Sequence, residues 1–424
     1  MRFVHAADLH LDSPFRGLGE LAPGVAGRLR DATFQALDRL VALARTEAAD
    51  CVLLAGDTYD GADRSIRAQV RLRDALAGLG RDGVESLLVL GNHDPADGWS
   101  VDLDAPGVFV FPPGEPAGRD IVVEGRRIGH VDGISYPTRE VHENYALRLR
   151  RQDDAPASVA LLHANVRGGI TSESDYAPAR LEDLVASGHD YWALGHVHSR
   201  QVLRAARPTV VYPGNTQGRS MRERGERGCY VVAVEDGIVR DLRFVPLQAA
   251  LFQEERVDVA GTSGGGALTD LLLDRLQALR AQAPGRSLVV RLVLTGEATA
   301  AVRDVLADPA RLRDLVATLR ANAESALDEA LVWPEGLADE TLVPLAAPAP
   351  GTLAGDVLEL AERALDGDLD GASIRAQARV ALGPLYARAG LGFLAAEVDD
   401  ETLGRWLMAA AERVVRGLAG EGGL

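Results

Sequence analysis

Two cysteines, Cys51 and Cys229, are all that the 424 residues contain, and both lie in apolar, strand-like runs. That count supports neither a disulfide framework nor a cysteine-ligated zinc site, and it predicts buried thiols in a cytoplasmic protein. No apolar run approaches the length of a membrane span, so no membrane association is expected. The opening residues read directly as a strand, and no cleaved signal sequence is expected. Lysine is absent: every basic side chain other than histidine is arginine, which reads as genome composition. Histidine is absent after His198, which confines imidazole-dependent chemistry to the first half of the chain. Positive charge is in deficit. The net charge of −17 argues against a protein that binds nucleic acid simply by being basic. Bound divalent cations and local arginines can still offset it at one face.

What is present is an ordinary globular composition. With 424 residues, 47% of them hydrophobic, the chain can bury a full core and is expected to make two or three domains. Residues 1–60 read as strand, long loop, helix, strand, with helical apolar spacing from about Gly27 to Ala49 and a strand over Cys51–Ala55. An amphipathic helix over Ser65–Leu79 and a strand over Ser86–Leu90 follow, a βαβαβ rhythm that implies a largely parallel sheet covered by helices. Short strands with tight turns between Val108 and Ile134 predict a second, more antiparallel sheet, and a charged helix is predicted from about Glu140 to Arg151. Further strands are predicted over Val159–Leu162, Tyr191–Leu194, Thr209–Tyr212, Cys229–Glu235 and Val239–Val245.

Beyond residue 250, strand and helix alternate over Gln253–Val259, Leu268–Gln282, Ser287–Leu294, Ala310–Ala321 and Glu329–Val332. Gly261-Thr262-Ser263-Gly264-Gly265-Gly266 lacks the Gly-Lys-Ser/Thr of a phosphate loop and reads as a connection. Pro344–Gly351 reads as a linker, followed by helices over Asp356–Leu365, Ala372–Leu382 and Glu401–Leu418. Leu403, Leu407, Ala411 and Val414 give the last helix an apolar stripe, suited to packing within the chain or to docking a partner. The expected domains are therefore 1–248, 250–340 and 341–424.

The chemistry gathers where short β-rich runs stop. Phe3–Ala7 stops at Asp8-Leu9-His10, Cys51–Ala55 at Gly56-Asp57, and Leu87–Leu90 at Gly91-Asn92-His93-Asp94. Val159–Leu162 stops at His163, and Tyr191–Leu194 at Gly195-His196-Val197-His198. Extended residues two apart point to the same side, so His196 and His198 can face one space. The carboxyl ends of strands are where α/β sheets assemble ligand sites from separate loops. The candidate metal ligands are therefore Asp8, His10, Asp57, Asn92, His163, His196 and His198.

Mixed carboxylate, imidazole and amide ligation suits Mn²⁺, Fe²⁺ or Zn²⁺. Seven groups suffice for two ions sharing one carboxylate, and Asp57, entering from a central strand, is the natural bridge. Two such metals can hold a phosphoryl group and generate hydroxide between them at neutral pH, which implies phosphoester hydrolysis. His93 should point toward substrate, to stabilise charge or protonate the leaving oxygen. Asp60 is the candidate to hold its tautomer, with Asp94 as an alternative or a turn residue.

Asp-x-His, Gly-Asp-x-x-Asp, Gly-Asn-His-Asp, a strand-borne His and Gly-His-x-His, in this order over residues 8–198, resemble the calcineurin-like metallophosphoesterases. The resemblance implies one metal on Asp8, His10, Asp57 and His198, and another on Asp57, Asn92, His163 and His196. It also implies an α/β fold, a four-layer α/β-β/α sandwich of two mixed sheets flanked by helices. The opening Phe3–Phe15 and the Tyr212-Pro213-Gly214-Asn215 turn further resemble YhaO-type and SbcD-like DNA repair exonucleases. That narrower resemblance implies a smaller α+β capping domain ahead of the helical C-terminal region, an SMC-like ATPase partner and a homodimer. Some nucleases of the group carry His where Asp60 stands.

Arg200, Arg204, Arg207, Arg219, Arg222, Arg224 and Arg227 fall in one stretch beside the site, against only Glu223 and Glu226. Phosphate-tracking arginines are what a nuclease groove needs, and Arg200, Arg204, Arg219, Arg222 and Arg224 are the candidate DNA contacts. The expectation is a two-metal, Mn²⁺-dependent exonuclease acting on DNA in repair, cytoplasmic or nucleoid-associated. A metallophosphoesterase for nucleotides or phosphoproteins is the alternative.

Overall fold

Alternating side chains along short, fully buried strands build the fold around one face-to-face sheet pair. The computed structural model describes residues 1–15, 23–60, 65–98, 103–151, 154–167, 176–283, 286–325, 331–344, 348–349, 351–366, 369–388 and 398–420. Contacts divide the chain into two units. The first holds Met1–Glu255, Leu273–Leu292 and Val316–Leu337, and the second holds Arg256–Leu272, Val293–Leu315 and Ala338–Leu424.

The first unit opens with β1 (Arg2–Ala6), α1 (Pro23–Arg30), α2 (Ala32–Thr46), β2 (Cys51–Ala55), α3 (Ile66–Arg81), β3 (Glu85–Val89) and β4 (Val108–Val110). It continues with β5 (Ala117–Val123), β6 (Arg126–Ile134), β7 (Ser158–His163), β8 (Val166–Arg167), β9 (Ala179–Arg180), α4 (Leu181–Ala186) and β10 (Tyr191–Gly195). Strands β11 (Gln201–Arg204), β12 (Thr209–Tyr212), β13 (Gly228–Glu235) and β14 (Ile238–Pro246) complete the pair of sheets. One sheet runs β14-β13-β1-β2-β3-β4 and the other β11-β12-β10-β7-β6-β5. Both are mixed: β1, β2, β3 and β4 are parallel while β13 joins β1 antiparallel. In the other sheet β12, β10, β7 and β6 are parallel, with β11 and β5 antiparallel at the edges.

The period of two along each strand sorts side chains into layers. Phe3, Cys51, Leu53, Leu87 and Val89 meet Val131, Val159, Leu161, Tyr191 and Ala193 in the core between the sheets. Val4, Ala6, Val52 and Leu54 turn the other way, onto Leu37, Leu40, Leu72 and Leu76 of α2 and α3. Ala160, Leu162, Trp192 and Leu194 face outward onto Tyr136, Val141, Tyr145, Leu149 and Leu184. The four-layer sandwich is thus present. A polar link crosses its middle: buried His5 on β1 bonds Tyr191 Oη at 2.9 Å and the Leu194 carbonyl at 3.2 Å on β10.

The second sheet is not the more antiparallel one expected: each sheet has three parallel and two antiparallel pairings, and Val108–Val110 joins the first sheet, beside β3. Three of the predicted elements also come out differently. The helix predicted over 140–151 is absent; its apolar residues are buried by an irregular segment with only a 3₁₀ turn at Tyr145–Arg148. The Val141 carbonyl accepts from Ala177 N, and the Asn144 side chain accepts from Ala146 N at 3.1 Å, so the helical ladder is diverted at both points. The helix read over 27–49 is two helices, α1 and α2, with Asp31 between them. The strand placed at 329–332 begins only at Val332; residues 329 and 330 lie outside the described residues.

That later strand is β17 (Val332–Asp339), preceded by β15 (Ala250–Asp258), α5 (Gly265–Gln282), β16 (Ser287–Thr295), α6 (Ala300–Ala307) and α7 (Pro309–Ser325). The sheet order is β15-β16-β17, so β17 is an edge strand and tolerates Pro334 within it. The predicted linker at 344–351 falls partly outside the described residues. Helices α8 (Leu353–Leu365), α9 (Leu369–Arg388) and α10 (Asp400–Gly420) follow it. Of the apolar stripe on α10, Leu403 and Ala411 are buried, whereas Val414 is exposed and Val415 takes the inward position. Among the described residues no helix is long and apolar enough to cross a membrane.

Candidate metal centre

Each candidate ligand sits where a central strand stops: Asp8 beyond β1, Asp57 beyond β2, Asn92 beyond β3, His163 at the end of β7, and His196 and His198 beyond β10. Four of them hold left-handed backbone, with φ of 52° at Asp8, 43° at His10, 52° at Asp57 and 98° at His196. Such conformations cost on the order of 1–3 kcal/mol each in non-glycine residues and persist where the surroundings enforce them. Here Asp8 N bonds Gly56 O at 3.1 Å and His10 N bonds Asp57 O at 3.1 Å, locking the two loops together.

The side chains converge. Ligand atoms of Asp8, His10 and His198 lie within 4.8 Å of one another, as do those of Asp8, Asp57 and His163. Asn92 Oδ1 is 3.0 Å from His163 Nε2 and 3.1 Å from His196 Nδ1. Asp57 Oδ2 lies between the two clusters, 3.4 Å from His163 Nε2 and 3.8 Å from His10 Nε2. All seven expected ligands are therefore drawn into one cage.

The tautomers test whether cations fit there. His10 Nδ1–H donates to Asp60 Oδ1 at 3.1 Å, and His198 Nδ1–H donates to Glu223 Oε1 at 2.7 Å. Both rings then present a bare Nε2, and these two nitrogens face each other at 3.2 Å. Two lone pairs aimed at one point are repulsive alone and become favourable around a cation. His163 behaves likewise: its Nδ1–H donates to Ala55 O at 2.8 Å, which frees Nε2 toward Asp57 and Asn92. The donor set fits two divalent ions.

The electrostatics agree with the geometry. Burial pushes the Asp57 carboxyl up to about 7 and the His10 imidazole down to about 3, and it drives His163 well below its ordinary value. Buried, neutral imidazoles are the form that binds metal, and a cation reverses the penalty on a buried carboxylate.

His93 Nδ1 lies 2.5 Å from Asp60 Oδ1, and its side chain is 38% exposed, at the rim of the cage. Burial disfavours the charged ring, but the bond to Asp60 together with the charges of Asp57 and Asp60 outweighs it and raises the His93 pKa. Burial likewise opposes the Asp60 charge, yet the bonds from His10 and His93 hold that carboxyl well below the usual range. Asp94 serves the turn: its carboxylate accepts from Asp57 N at 3.1 Å, Thr58 N at 2.7 Å and Gly91 N at 2.7 Å.

The five candidate arginines are spread more widely. Arg200 is exposed and stacks its guanidinium over Phe244 at 4.0 Å, and Arg204 bonds Arg207 O at 3.2 Å. Arg222 is exposed, Arg224 pairs with Glu254, and Arg219 is largely buried between Asp60 and Glu223. Sequence reading passed over Glu223 and over Ser13, whose hydroxyl donates to Asp60 Oδ2. The signal available for Glu223 was its place as one of two acids in an arginine-rich stretch. Ser13 carried none.

Residues 1–200 match the family model described as calcineurin-like phosphoesterase, and residues 252–342 match that of the middle domain of metallophosphoesterase YhaO. The uncharacterized metallophosphoesterase YhaO of Bacillus subtilis (strain 168) is 38% identical over 342 residues, covering 80% of this chain and 82% of that protein. The SbcD subunit of the nuclease SbcCD of the same organism is 25% identical, over 53% of this chain and 64% of its own length. The DNA double-strand break repair protein Mre11 of Methanopyrus kandleri is 27% identical, over 58% and 57%.

Proposed function

This chain belongs to the YhaO family of calcineurin-like metallophosphoesterases, and on that premise we propose that it is a two-metal DNA nuclease, an exonuclease of DNA repair. The observation that carries the reading is His93 at the rim of the cage, its Nδ1 held by Asp60 and its ring open to an incoming ester. Asp8, His10, Asp57 and His198 would hold one cation, and Asp57, Asn92, His163 and His196 the other. When bound, the two cations polarise the phosphoryl oxygens and make water nucleophilic at neutral pH.

The protein's own groups do the rest. Asp60 and Glu223 orient His10 and His198, and Asp94 fixes the turn that carries Asp57. His93, whose protonated form is stabilised by Asp60, would donate the Nε2 proton to the leaving oxygen as the P–O bond breaks. Water adds to phosphorus and releases its proton to solvent, from which His93 is reprotonated. Exposed Arg200 and Arg222, with Arg204 and Arg224 beside them, would track the DNA backbone. Two of the weaker relatives bear names of a nuclease subunit and a DNA double-strand break repair protein, which supports DNA over a small ester. Mn²⁺ is the proposed metal, residues 250–340 the proposed capping domain, and 341–424 the proposed docking region for an SMC-like ATPase.

The test incubates the protein and Mn²⁺ with end-labelled duplex and single-stranded DNA, alongside bis(p-nitrophenyl) phosphate, with Asp57→Ala as control. DNA shortened only by the native protein supports the reading. Cleavage of the generic ester with DNA untouched would leave a phosphoesterase of other substrate, nucleotides or phosphoproteins.

A further inference from the structure

We infer that Glu223 and Arg219 are positioning residues that tie the two sides of the metal cage into one unit. The inference rests on the two-metal reading above. Glu223 Oε1 receives the Nδ1 proton of His198 at 2.7 Å, and its Oε2 receives Arg219 N at 2.7 Å. The Arg219 guanidinium lies 3.7 Å from Glu223 Oε1 and 3.6 Å from Asp60 Oδ2. Asp60 in turn orients His10 and His93. One arginine thus stands between the carboxylate that aims His198 and the carboxylate that aims His10 and His93. With its side chain only 17% exposed, it is placed to neutralise them.

The segment that carries both residues is itself anchored. Glu223 N bonds Ser220 O at 2.9 Å, closing a turn that brings the carboxylate back onto the Arg219 amide. Upstream, Gln217 bonds Ala250 O at 2.6 Å and Ala249 N at 2.8 Å. Downstream, Arg227 Nη1 bonds the His198 carbonyl at 2.5 Å and Asn215 Oδ1 at 3.1 Å. His198 is therefore gripped by its backbone through Arg227 and by its ring through Glu223. Partners that orient a ligating histidine typically govern metal affinity by 10–100-fold.

Isothermal titration of the metal-free protein with Mn²⁺, with KM for DNA as a second readout, tests this. Glu223→Ala should weaken one of two Mn²⁺ sites by about 10–100-fold, and Glu223→Gln, whose amide oxygen still accepts the hydrogen bond from His198 Nδ1–H, by less. Arg219→Met should weaken the same site, the one that His10 and His198 share, a few-fold and leave KM for DNA unchanged. Wild-type affinity at both sites in Glu223→Ala and Glu223→Gln would overturn the inference, as would a lowered melting temperature of the metal-free variants with no site-selective loss. A raised KM for DNA in Arg219→Met with unchanged Mn²⁺ binding would make Arg219 a phosphate contact and overturn its part. A wild-type protein that binds no pair of Mn²⁺ ions would sink the two-metal reading itself.

Discussion

A methyl group added at Gly91 should silence the centre while leaving the protein folded. A Cβ at that position would lie 2.3 Å from Asp57 Oδ1 and 2.9 Å from both Asp57 N and His163 Cε1. Reaching ordinary contact requires a shift of about 1 Å. The Asp57 carboxylate has little room to give, because its Oδ1 accepts from His93 N at 2.9 Å while Oδ2 sits between His163 and His10. A misplacement of that size costs roughly 100-fold in rate, or about 2.7 kcal/mol of transition-state stabilisation. Overpacking of this kind costs about 1–3 kcal/mol in stability, which a protein of ordinary stability survives. Gly195→Ala is the contrast: its Cβ would lie 1.8 Å from the Ala55 carbonyl oxygen, where only backbone could yield, and soluble protein is not expected. The assay is steady-state hydrolysis of bis(p-nitrophenyl) phosphate with Mn²⁺, alongside a thermal melt. A Gly91→Ala protein with kcat/KM within threefold of wild type would refute the reasoning.

Three further outcomes are expected. His93→Ala should retain Mn²⁺ binding and lose about 10²–10⁴-fold in kcat on DNA, but less on bis(p-nitrophenyl) phosphate, whose leaving group needs no proton; equal losses on both would argue against a general acid. Burial lowers the His5 pKa from 6.5 to about 3, so on acidification the unfolded chain binds a proton that the native chain refuses. His5 therefore costs no stability above 6.5 and destabilises as pH falls toward 3, by up to about 1.4 kcal/mol per pH unit. The stability of wild type minus that of His5→Leu, from urea titrations, should then fall from pH 7.5 to pH 5, and a constant difference would contradict this. Arg222→Ala should lower the slope of log affinity for DNA against log salt by about one, read by fluorescence anisotropy, and an unchanged slope would remove Arg222 from the groove.

The sandwich was legible because its strands are short, buried on both faces and punctuated by chemistry. Phe3–Ala7, Cys51–Ala55 and Leu87–Leu90 could be placed from apolar runs alone, and the parallel registers bring their ends together. The seven cage residues were legible for the same reason, since each terminates such a run. Residues 140–151 misled because Val141, Tyr145 and Leu149 have helical spacing while Val141 O is taken by Ala177, a partner 36 positions on. Ser13 was illegible in kind, and Glu223 nearly so, marked only as one of two acids among arginines. Each acts through one long-range hydrogen bond, and such bonds leave no periodicity behind. Asp60 was found only because it is three residues from Asp57, and its second client, His10, was not anticipated.

The position of β1 has a consequence for biosynthesis. It lies in the middle of its sheet, paired with β2 on one side and with β13 on the other, His5 opposite Tyr230. At roughly 5–20 residues per second, the ribosome delivers Tyr230 on the order of 10–45 s after His5. Throughout that interval Phe3, Val4 and Ala6 present an unpaired apolar edge, the kind that recruits stray strands. Slow codons or starvation between β12 and β13 would lengthen the exposure, so yield of soluble protein should track translation speed there more closely than anywhere downstream.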